Sequence, residues 1–229
     1  MKKILLGILV LLVANNAFSQ AKFGVKAGMN FSSLSKVEYF TDKGYMYTPL
    51  ERDGMAAGFH VGIFRNVSLG KILHFQPELL FSMQGGKQQA YELLPGGSGY
   101  GAGPKLKYQL GYVQIPLLFE IKPVANFGIL AGAQVSFNVS RKCTYSYGGF
   151  TETLTGSKLN KSVYGDGIQK IDAGLVFGLQ YTLTEKITIG VRDHIGLIKN
   201  WDFTTSYDKN QKSKGWKSNV IQVGLGYSF

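Results

Sequence analysis

Seven ionisable residues of this 229-residue chain fall on the polar side of segments in which apolar and polar residues alternate. They are Lys26, Glu78, Glu120, Asp172, Arg192, His60 and His194. Alternation with a period of two is typical of a β-strand that buries one face. Because an unpaired interior charge is costly, we expect these groups to pair, with Glu78 and Arg192 at similar depth. The favoured interpretation is a salt-bridged polar network that fills the interior, and a proton or ion path is the alternative.

One pair in the sequence, His194 with Asp172, suggests catalysis. A hydrolytic site needs a nucleophile or an activated water, a base and an orienting acid within hydrogen-bond reach. The chain has only three histidines, and its single cysteine, Cys143, excludes an internal disulfide and a Cys-rich zinc site. We therefore predict no catalytic residue, no metal and no cofactor. An outer-leaflet lipid-modifying enzyme is the less favoured alternative.

Eight extended segments must position these side chains. The alternation is clearest in the last segment, where Ile221, Val223, Leu225, Tyr227 and Phe229 share one face. The predicted strands are 22–32, 56–65, 71–83, 105–120, 124–140, 168–182, 187–198 and 217–229. Long connections at 33–55, 84–104, 141–167 and 199–216 alternate with short ones at 66–70, 121–123 and 183–186.

Alternation alone does not say which face points outward, and a soluble lipocalin-like barrel would turn its apolar face inward. The even strand count, the alternating connection lengths and the glycine-rich polar face favour a membrane barrel. We therefore predict an all-β, eight-stranded, antiparallel up-and-down transmembrane β-barrel, with periplasmic termini and extracellular long loops. Eight strands leave an interior that side chains just fill, which argues against a porin-like channel.

Some residues do not fit a regular barrel. Pro77 and Pro116 lie within predicted strands, and since a closed barrel has no free edge we expect local bulges there. The apolar residues of 106–110 have the opposite parity from those that follow, so the fourth strand is predicted to change face near Gly111. Asp193 falls on the apolar face, and a shift of register there would turn it inward.

Residues 1–19 are predicted to be a secretory signal. Two lysines precede an apolar core too short to span a bilayer, and the small residues Ala17 and Ser19 mark a cleavage site. Residues 20–229 then form one barrel domain. The formal charge of +11 raises nucleic acid as a partner, but an exported chain rarely meets it, so we expect none.

The predicted loops carry most of the basic residues. We predict lipopolysaccharide contacts for Arg141, Lys142, Lys158, Lys161, Lys212 and Lys214, because cations favour anionic headgroups; the plainer alternative is a solvated surface. The glycine-rich stretch 95–103 is predicted to be a hairpin tip. Trp201 and Trp216 are expected in an aromatic belt at the membrane interface, and Cys143 is expected to be a free thiol at a loop base.

Five motifs follow one another along the chain: FQPELLFS at 75–82, YVQIPLL at 112–118, DAGLVFG at 172–178, Arg192 followed by Gly196, Leu197 and Asn200, and LGYSF at 225–229. Together they resemble the PorT-type outer-membrane β-barrel proteins of Bacteroidota. The resemblance implies a barrel like the small OmpA and OmpX barrels, and a terminal strand whose Tyr227 and Phe229 the barrel-assembly machinery recognises. PorT itself is tied to type IX protein secretion.

The sequence therefore predicts a small integral outer-membrane protein of a Gram-negative bacterium, with a structural, adhesion or interaction role and no catalysis. An accessory role in a type IX-like secretion system is the main alternative. The expected partners are outer-membrane lipid, lipopolysaccharide, the barrel-assembly machinery and, in the alternative, secretion-system proteins.

Overall fold

The computed structural model describes residues 22–37, 40–42, 45–93, 100–160, 168–199 and 215–229. Eleven strands and one short helix occur in this part of the chain. The strands are β1 Lys22–Leu34, β2 Phe40–Asp42, β3 Tyr45–Arg52, β4 Ala56–Ser68, β5 Leu73–Leu93, β6 Tyr100–Val124, β7 Phe127–Tyr147, β8 Phe150–Thr155, β9 Ile171–Thr182, β10 Ile187–Gly196 and β11 Ser218–Ser228, and helix α1 is Gly156–Asn160. No helix among these residues is long and apolar enough to cross a membrane. The predicted signal, residues 1–19, lies outside the described residues.

Eight of the strands close a ring. Each pairs antiparallel with the next in the order β1, β4, β5, β6, β7, β9, β10 and β11. The ring then closes between β11 and β1, from the pair Gly24↔Ser228 to the pair Leu34↔Ser218. The predicted eight-stranded antiparallel barrel is confirmed. The other described strands are additions: β3 pairs with β5, β2 pairs with β3, and β8 pairs with β7.

Connection length alternates around the ring, as predicted. Residues 69–72, 125–126 and 183–186 make the tight connections at one end of the barrel, which we call the short-turn end. The first strand begins and the last strand ends at that same end. The strand ends that the long connections join lie at the opposite end, the long-loop end, where β2, β3, β8 and α1 are also found.

Three strands are much longer than predicted, because the chain remains extended where loops were expected. β5 and β7 have 21 residues each and β6 has 25. At about 3.3 Å per residue, their upper parts rise roughly 30 Å further than the other strands. We call this extension the wall. It comprises residues 84–93, 100–111 and 140–147 together with β2, β3 and β8. The predicted tip at 95–103 is therefore wrong for 100–103, which belong to β6, and residues 95–99 lie outside the described residues.

The polarity of the two faces inverts at the base of the wall. From Leu106 to Glu120 the even-numbered residues of β6 face inward, and they change from polar at Gln114 and Glu120 to apolar at Leu106 and Tyr108. The outward residues change in the opposite sense, from exposed apolar side chains such as Phe119, which is 49% exposed, to exposed lysines. The predicted change of face in this strand is wrong: the strand keeps its parity, and its surroundings change.

The irregularity near Gly111 lies on the neighbouring strand. Gly111 pairs with Ser140 and the next residue, Tyr112, pairs with Asn138, so Val139 is an extra residue in β7. Such a bulge shifts side chains to the other face of the bulged strand. Below it the even residues of β7 face inward, and above it odd residues such as Cys143 do.

The inward face of the wall encloses an apolar cluster, which we call the wall core. It consists of Leu34, Val37, Leu50, Ala90, Leu106, Tyr108, Leu110, Tyr112, Cys143, Leu159, Ile168 and Trp216. The rings of Tyr108 and Trp216 lie 4.7 Å apart between centroids. The expectation that Trp216 belongs to an aromatic belt is wrong, because this side chain is fully buried here. Cys143 is a free thiol, but it is buried in the wall core rather than placed at a loop base. Trp201 lies outside the described residues.

The two prolines do not produce bulges. The register between β4 and β5 is the same on both sides of Pro77, and the register between β6 and β7 does not change at Pro116. The β4–β5 pairing simply lapses opposite Pro77, so only local hydrogen bonds are given up. Asp193 also keeps its register and faces outward. Its carboxylate accepts hydrogen bonds from the Asn219 amide at 3.0 and 3.2 Å, which accommodates a charge on the apolar face.

Candidate functional site

A buried ion cluster lies in the middle of the lumen. The Glu78 carboxylate, on β5, is fully buried and accepts from Lys26 Nζ on β1 at 2.5 Å and from Arg192 Nη1 on β10 at 2.7 Å. Gln76 Nε2 donates to the same carboxylate at 2.7 Å, and Arg192 Nε donates to Gln222 Oε1 at 2.7 Å. Both carboxylate oxygens are thus paired, and four strands are joined across the barrel. We call this set the central cluster.

Inward-facing glycines make room for these long side chains. A Cβ atom at Gly178 would lie 2.6 Å from Cβ of Arg192, and one at Gly28 would lie 2.6 Å from Cε1 of His60. Such distances are well inside van der Waals contact. The glycines on the polar face therefore let the central cluster and His60 pack within a narrow ring.

Above the central cluster, His60 is held by a neutral network. The Asn30 amide nitrogen lies 2.9 Å from three acceptors, Ser82 Oγ and the backbone oxygens of Phe59 and Met83. Its oxygen must then accept, so the His60 Nδ1 atom, 2.8 Å away, carries the hydrogen. This network joins β1, β4 and β5 without adding a charge.

The other two predicted lumen acids lie apart from the central cluster. Glu120 is near the short-turn end, where it accepts from Asn66 at 3.0 Å and from Gln180 at 3.3 Å and lies 3.6 Å from Lys122 Nζ. Asp172 is near the long-loop end and accepts from Ser218 Oγ at 2.8 Å. The structure therefore brings together three of the five predicted charges, Lys26, Glu78 and Arg192, and separates the others.

His194, considered as a catalytic base, makes no hydrogen bond to Asp172, the proposed orienting acid. His194 is buried, and neither of its ring nitrogens has a hydrogen-bond partner among the described residues. The free oxygen of Asp172, Oδ1, has none either, and Ser218 Oγ is directed to the other oxygen. No group of three His, Cys, Asp or Glu side chains in the described ranges is placed to hold a metal ion.

The basic residues predicted to contact lipopolysaccharide separate into three kinds. Arg141 ties the bulge of β7 to the following chain, since it donates to Asn138 Oδ1 and to the Ile168 backbone oxygen, each at 3.2 Å. Lys142 is exposed on the outward face of the wall, and Lys158 is exposed on α1. Lys161, Lys212 and Lys214 lie outside the described residues.

The structure shows a row of four lysines, of which the sequence predicted only Lys142 as a candidate contact. Lys87, Lys105, Lys107 and Lys142 are exposed on the outward face of the wall, just above the apolar surface of the barrel. Lys87 and Lys107 are directly opposite each other on β5 and β6. One weak pair, between Lys105 and Asp53 at 3.8 Å, adjoins the row. The alternation that turns these lysines outward was the signal available in the sequence. It has meaning only once residues 85–93 and 100–107 are assigned to strands.

A lateral pocket of about 580 Å³ opens beside this row at the β7 bulge. Met83 and Val139 form its apolar side, and Gln109, Arg141 and Lys142 form its polar side. The pocket thus lies where the outward surface changes from apolar to basic.

Exposed apolar side chains cover the outside of the barrel below the wall. β1 contributes Phe23, Val25, Met29 and Phe31, and the same parity on the other ring strands contributes comparable side chains. Near the short-turn end, Phe229 stacks on Phe23 with centroids 6.1 Å apart. We call this surface the lipid band, because an apolar girdle edged by aromatic rings is typical of barrels in an outer membrane.

A match to a protein family identifies the environment of this surface. A family model described as an outer membrane protein β-barrel domain matches residues 14–202. The chain belongs to this family. It is accordingly an integral outer-membrane β-barrel protein, and the lipid band faces the bilayer. This match shows neither a PorT-type protein nor an origin in Bacteroidota, so that finer resemblance stays a prediction.

Solved structures of small outer-membrane barrels are similar to the chain at low sequence identity. Neisserial surface protein A is 14% identical, with a TM-score of 0.43, over 92% of this chain and 100% of that one. Ail of Yersinia pestis is 13% identical, with a TM-score of 0.42, over 91% and 99%. OprG of Pseudomonas aeruginosa is 12% identical, with a TM-score of 0.43, over 91% and 96%. No curated protein matches the chain by sequence.

Proposed function

We propose that this protein is a non-catalytic outer-membrane barrel whose wall is an extracellular interaction surface and whose lumen is a structural plug. In this orientation the short-turn end faces the periplasm and the long-loop end faces the outside. The observation that carries the proposal is the inversion of polarity at the base of the wall. A surface that is apolar up to one level and basic above it matches a bilayer and its anionic headgroup layer.

The state of the lumen supports a structural role for the barrel. The central cluster joins four strands, and the space beside it is about 20 Å³, enough for about one water molecule. The Asp172–His194 pair is not hydrogen-bonded and faces the interior. We therefore assign neither conduction nor catalysis to these residues.

The lysine row supports lipopolysaccharide as a partner. Like charges directly opposite each other on neighbouring strands, such as Lys87 and Lys107, repel each other and destabilise the pair. A phosphate group between them offsets this repulsion and adds charge-assisted hydrogen bonds. Lipid A phosphates lie at the upper edge of the hydrophobic layer, which is the level of this row relative to the lipid band. We include Lys142 and the adjacent pocket in the same surface.

The test compares two double variants of the purified barrel in detergent. In one, Lys87 and Lys107 are changed to glutamine; in the matched control, Lys22 and Lys186, at the short-turn end, are changed in the same way. We expect added lipopolysaccharide to raise the thermal midpoint of wild type and control but not of the Lys87/Lys107 variant. Lipopolysaccharide stripped of lipid A phosphates should have little effect on any of them.

The same experiment contains the contrary outcome. If both double variants respond to lipopolysaccharide as the wild type does, the row is only a solvated surface. If the control loses the response and the wall variant keeps it, the orientation proposed for the barrel is reversed. Protease treatment of intact cells, with cleavage in the wall expected, checks the orientation independently.

A further inference from the structure

One buried donor in the lumen has no partner. Arg192 is only 6% exposed, and two of its three guanidinium nitrogens are used, Nη1 for Glu78 and Nε for Gln222. The third, Nη2, makes no hydrogen bond to any described residue. A buried donor of this kind in a native structure usually has a partner of its own, such as an ordered water or a bound ion.

The charge around this donor is not balanced. The central cluster contains two cations, Lys26 and Arg192, and one carboxylate, Glu78. No ion pair joins either of these cations to the other two lumen acids. Glu120 has its own cation, Lys122, and Asp172 lies six ladder positions above Arg192, a distance of about 20 Å along the strands. Counted over its directly paired groups, the central cluster therefore carries one more positive than negative charge.

A small cavity lies beside the same groups. Its volume is about 20 Å³, and its polar side chains are Lys26, His60, Gln180, Thr188, Arg192 and Gln222, next to the glycines at 190, 224 and 226 and three apolar side chains. This is the size of a site for a single small particle rather than for an organic ligand. The three glycines line the cavity without a side chain that would take up its space.

We propose that this cavity is a binding site for one small monovalent anion of the halide class, chloride in the cell. The anion accepts from Arg192 Nη2 and neutralises the charge surplus of the central cluster. The unpaired donor and the excess positive charge together favour an anion over a water molecule. A water molecule would satisfy the donor but would leave the charge unbalanced. Bound halide would then stabilise the closed barrel from within.

The experiment uses the full-length barrel purified in detergent and bromide as the probe. Crystals soaked in sodium bromide should show an anomalous peak in the cavity beside Arg192. The urea midpoint should be higher in chloride or bromide than in gluconate at equal ionic strength. A midpoint that is equal in all three salts, with no anomalous peak, would mean that the cavity holds water or nothing, and the proposal would be wrong.

Two substitutions test the volume of the cavity and the charge of the central cluster separately. Gly190→Ala adds a methyl group whose nearest neighbour, the Leu179 backbone oxygen, is 3.3 Å away, so it occupies the cavity and leaves every ion pair in place. Gln222→Glu is nearly isosteric and adds a carboxylate 2.7 Å from Arg192 Nε, which balances the charge. Each variant should lose the bromide peak and the halide-dependent shift. Gly70→Ala, in an open turn, is the control that should keep both.

The contrary result is a halide response that survives in both variants. It would place the anion elsewhere, for instance on the lysine row of the wall. Because the lipopolysaccharide assay uses other residues and another readout, failure of this proposal leaves the proposed function standing.

Discussion

The barrel within the lipid band and the wall above it are made from the same strands but are built in opposite ways. In the barrel, apolar residues face outward and a polar network fills the inside. In the wall, lysines face outward and an apolar core fills the inside. β6 passes from one region to the other without changing parity. Whether lipid or water lies outside therefore decides which face of a strand is apolar. The alternation itself marks a strand equally well in both regions.

The two interiors also stabilise the molecule by different means. The central cluster depends on paired charges, whose attraction must offset the cost of taking them out of water. The wall core depends on burying aromatic and aliphatic side chains such as Tyr108 and Trp216, which needs no exact pairing. We expect the lumen to be sensitive to the loss of single atoms and the wall to be sensitive to the loss of volume.

The largest expected effect separates closure of the ring from the presence of the wall. Deleting Leu225–Phe229 removes the pairs that β11 makes with Val25 and Ala27 and the bond from the Phe229 backbone nitrogen to the Phe23 oxygen. Lipid cannot satisfy the exposed backbone groups, at a cost of several kcal/mol each. The deleted strand also contains Tyr227 and Phe229, the proposed recognition signal for the barrel-assembly machinery. The variant should fail to insert, as measured by membrane fractionation and by mobility on unboiled gels.

A deletion of equal length in the wall is the matched control. Removing Phe150–Leu154 takes away most of β8, which pairs with β7 above the ring. This variant should still fractionate with the outer membrane and run as a heat-modifiable barrel. Normal insertion of the Leu225–Phe229 deletion would contradict the closure of the ring by β11.

An intermediate effect is expected from charges in the two regions. Glu78→Gln leaves both Lys26 and Arg192 buried without a counter-ion and should destabilise the barrel by about 3–5 kcal/mol. Arg192→Ala should cost less, because Lys26 still pairs with Glu78. Lys105→Ala removes an exposed wall pair and should cost about 0–1 kcal/mol. Urea midpoints in detergent measure this order, and equal midpoints for Glu78→Gln and Lys105→Ala would contradict a buried ion cluster.

The sequence was sufficient for the ring but not for the wall. Period-two alternation locates all eight ring strands, and the shared inward parity of Glu78 and Arg192 correctly predicts that they approach each other. The wall was missed because its inward face is apolar where the inward face lower in the same strands is polar. At Leu106 and Tyr108, inside the predicted fourth strand, this inversion was interpreted as a change of face. A pattern that inverts looks like the end of a strand unless the change of solvent is known. Pairing between strands is equally invisible in the sequence, which is why a change of face was predicted near Gly111 in β6 and the bulge at Val139 in β7 was not.

The smallest effect on closure of the ring is expected from a change confined to the wall core, for which Cys143 is the reporter. Burial raises the pKa of the Cys143 thiol from about 9 to about 12, so the native thiol should react slowly with a maleimide at pH 8. Leu106→Ala leaves a cavity in the same core, at a cost of about 2–5 kcal/mol, and should speed the labelling. Gel mobility should show that the barrel stays closed, because the ring does not depend on this side chain.

The matched control is Leu117→Ala, on the lipid band, which should leave the labelling rate of Cys143 unchanged. The pH dependence of the stability gives a second check that the Cys143 thiol is buried. Between about 9 and 12 the unfolded thiol has lost its proton while the buried thiol keeps it, so the stability of the wall should fall as the pH rises through that window. Replacing Cys143 by alanine should remove this thiol's contribution. If Leu106→Ala instead abolishes the heat-modifiable band, the wall and the barrel unfold as one unit, and the two interiors are not independently stable.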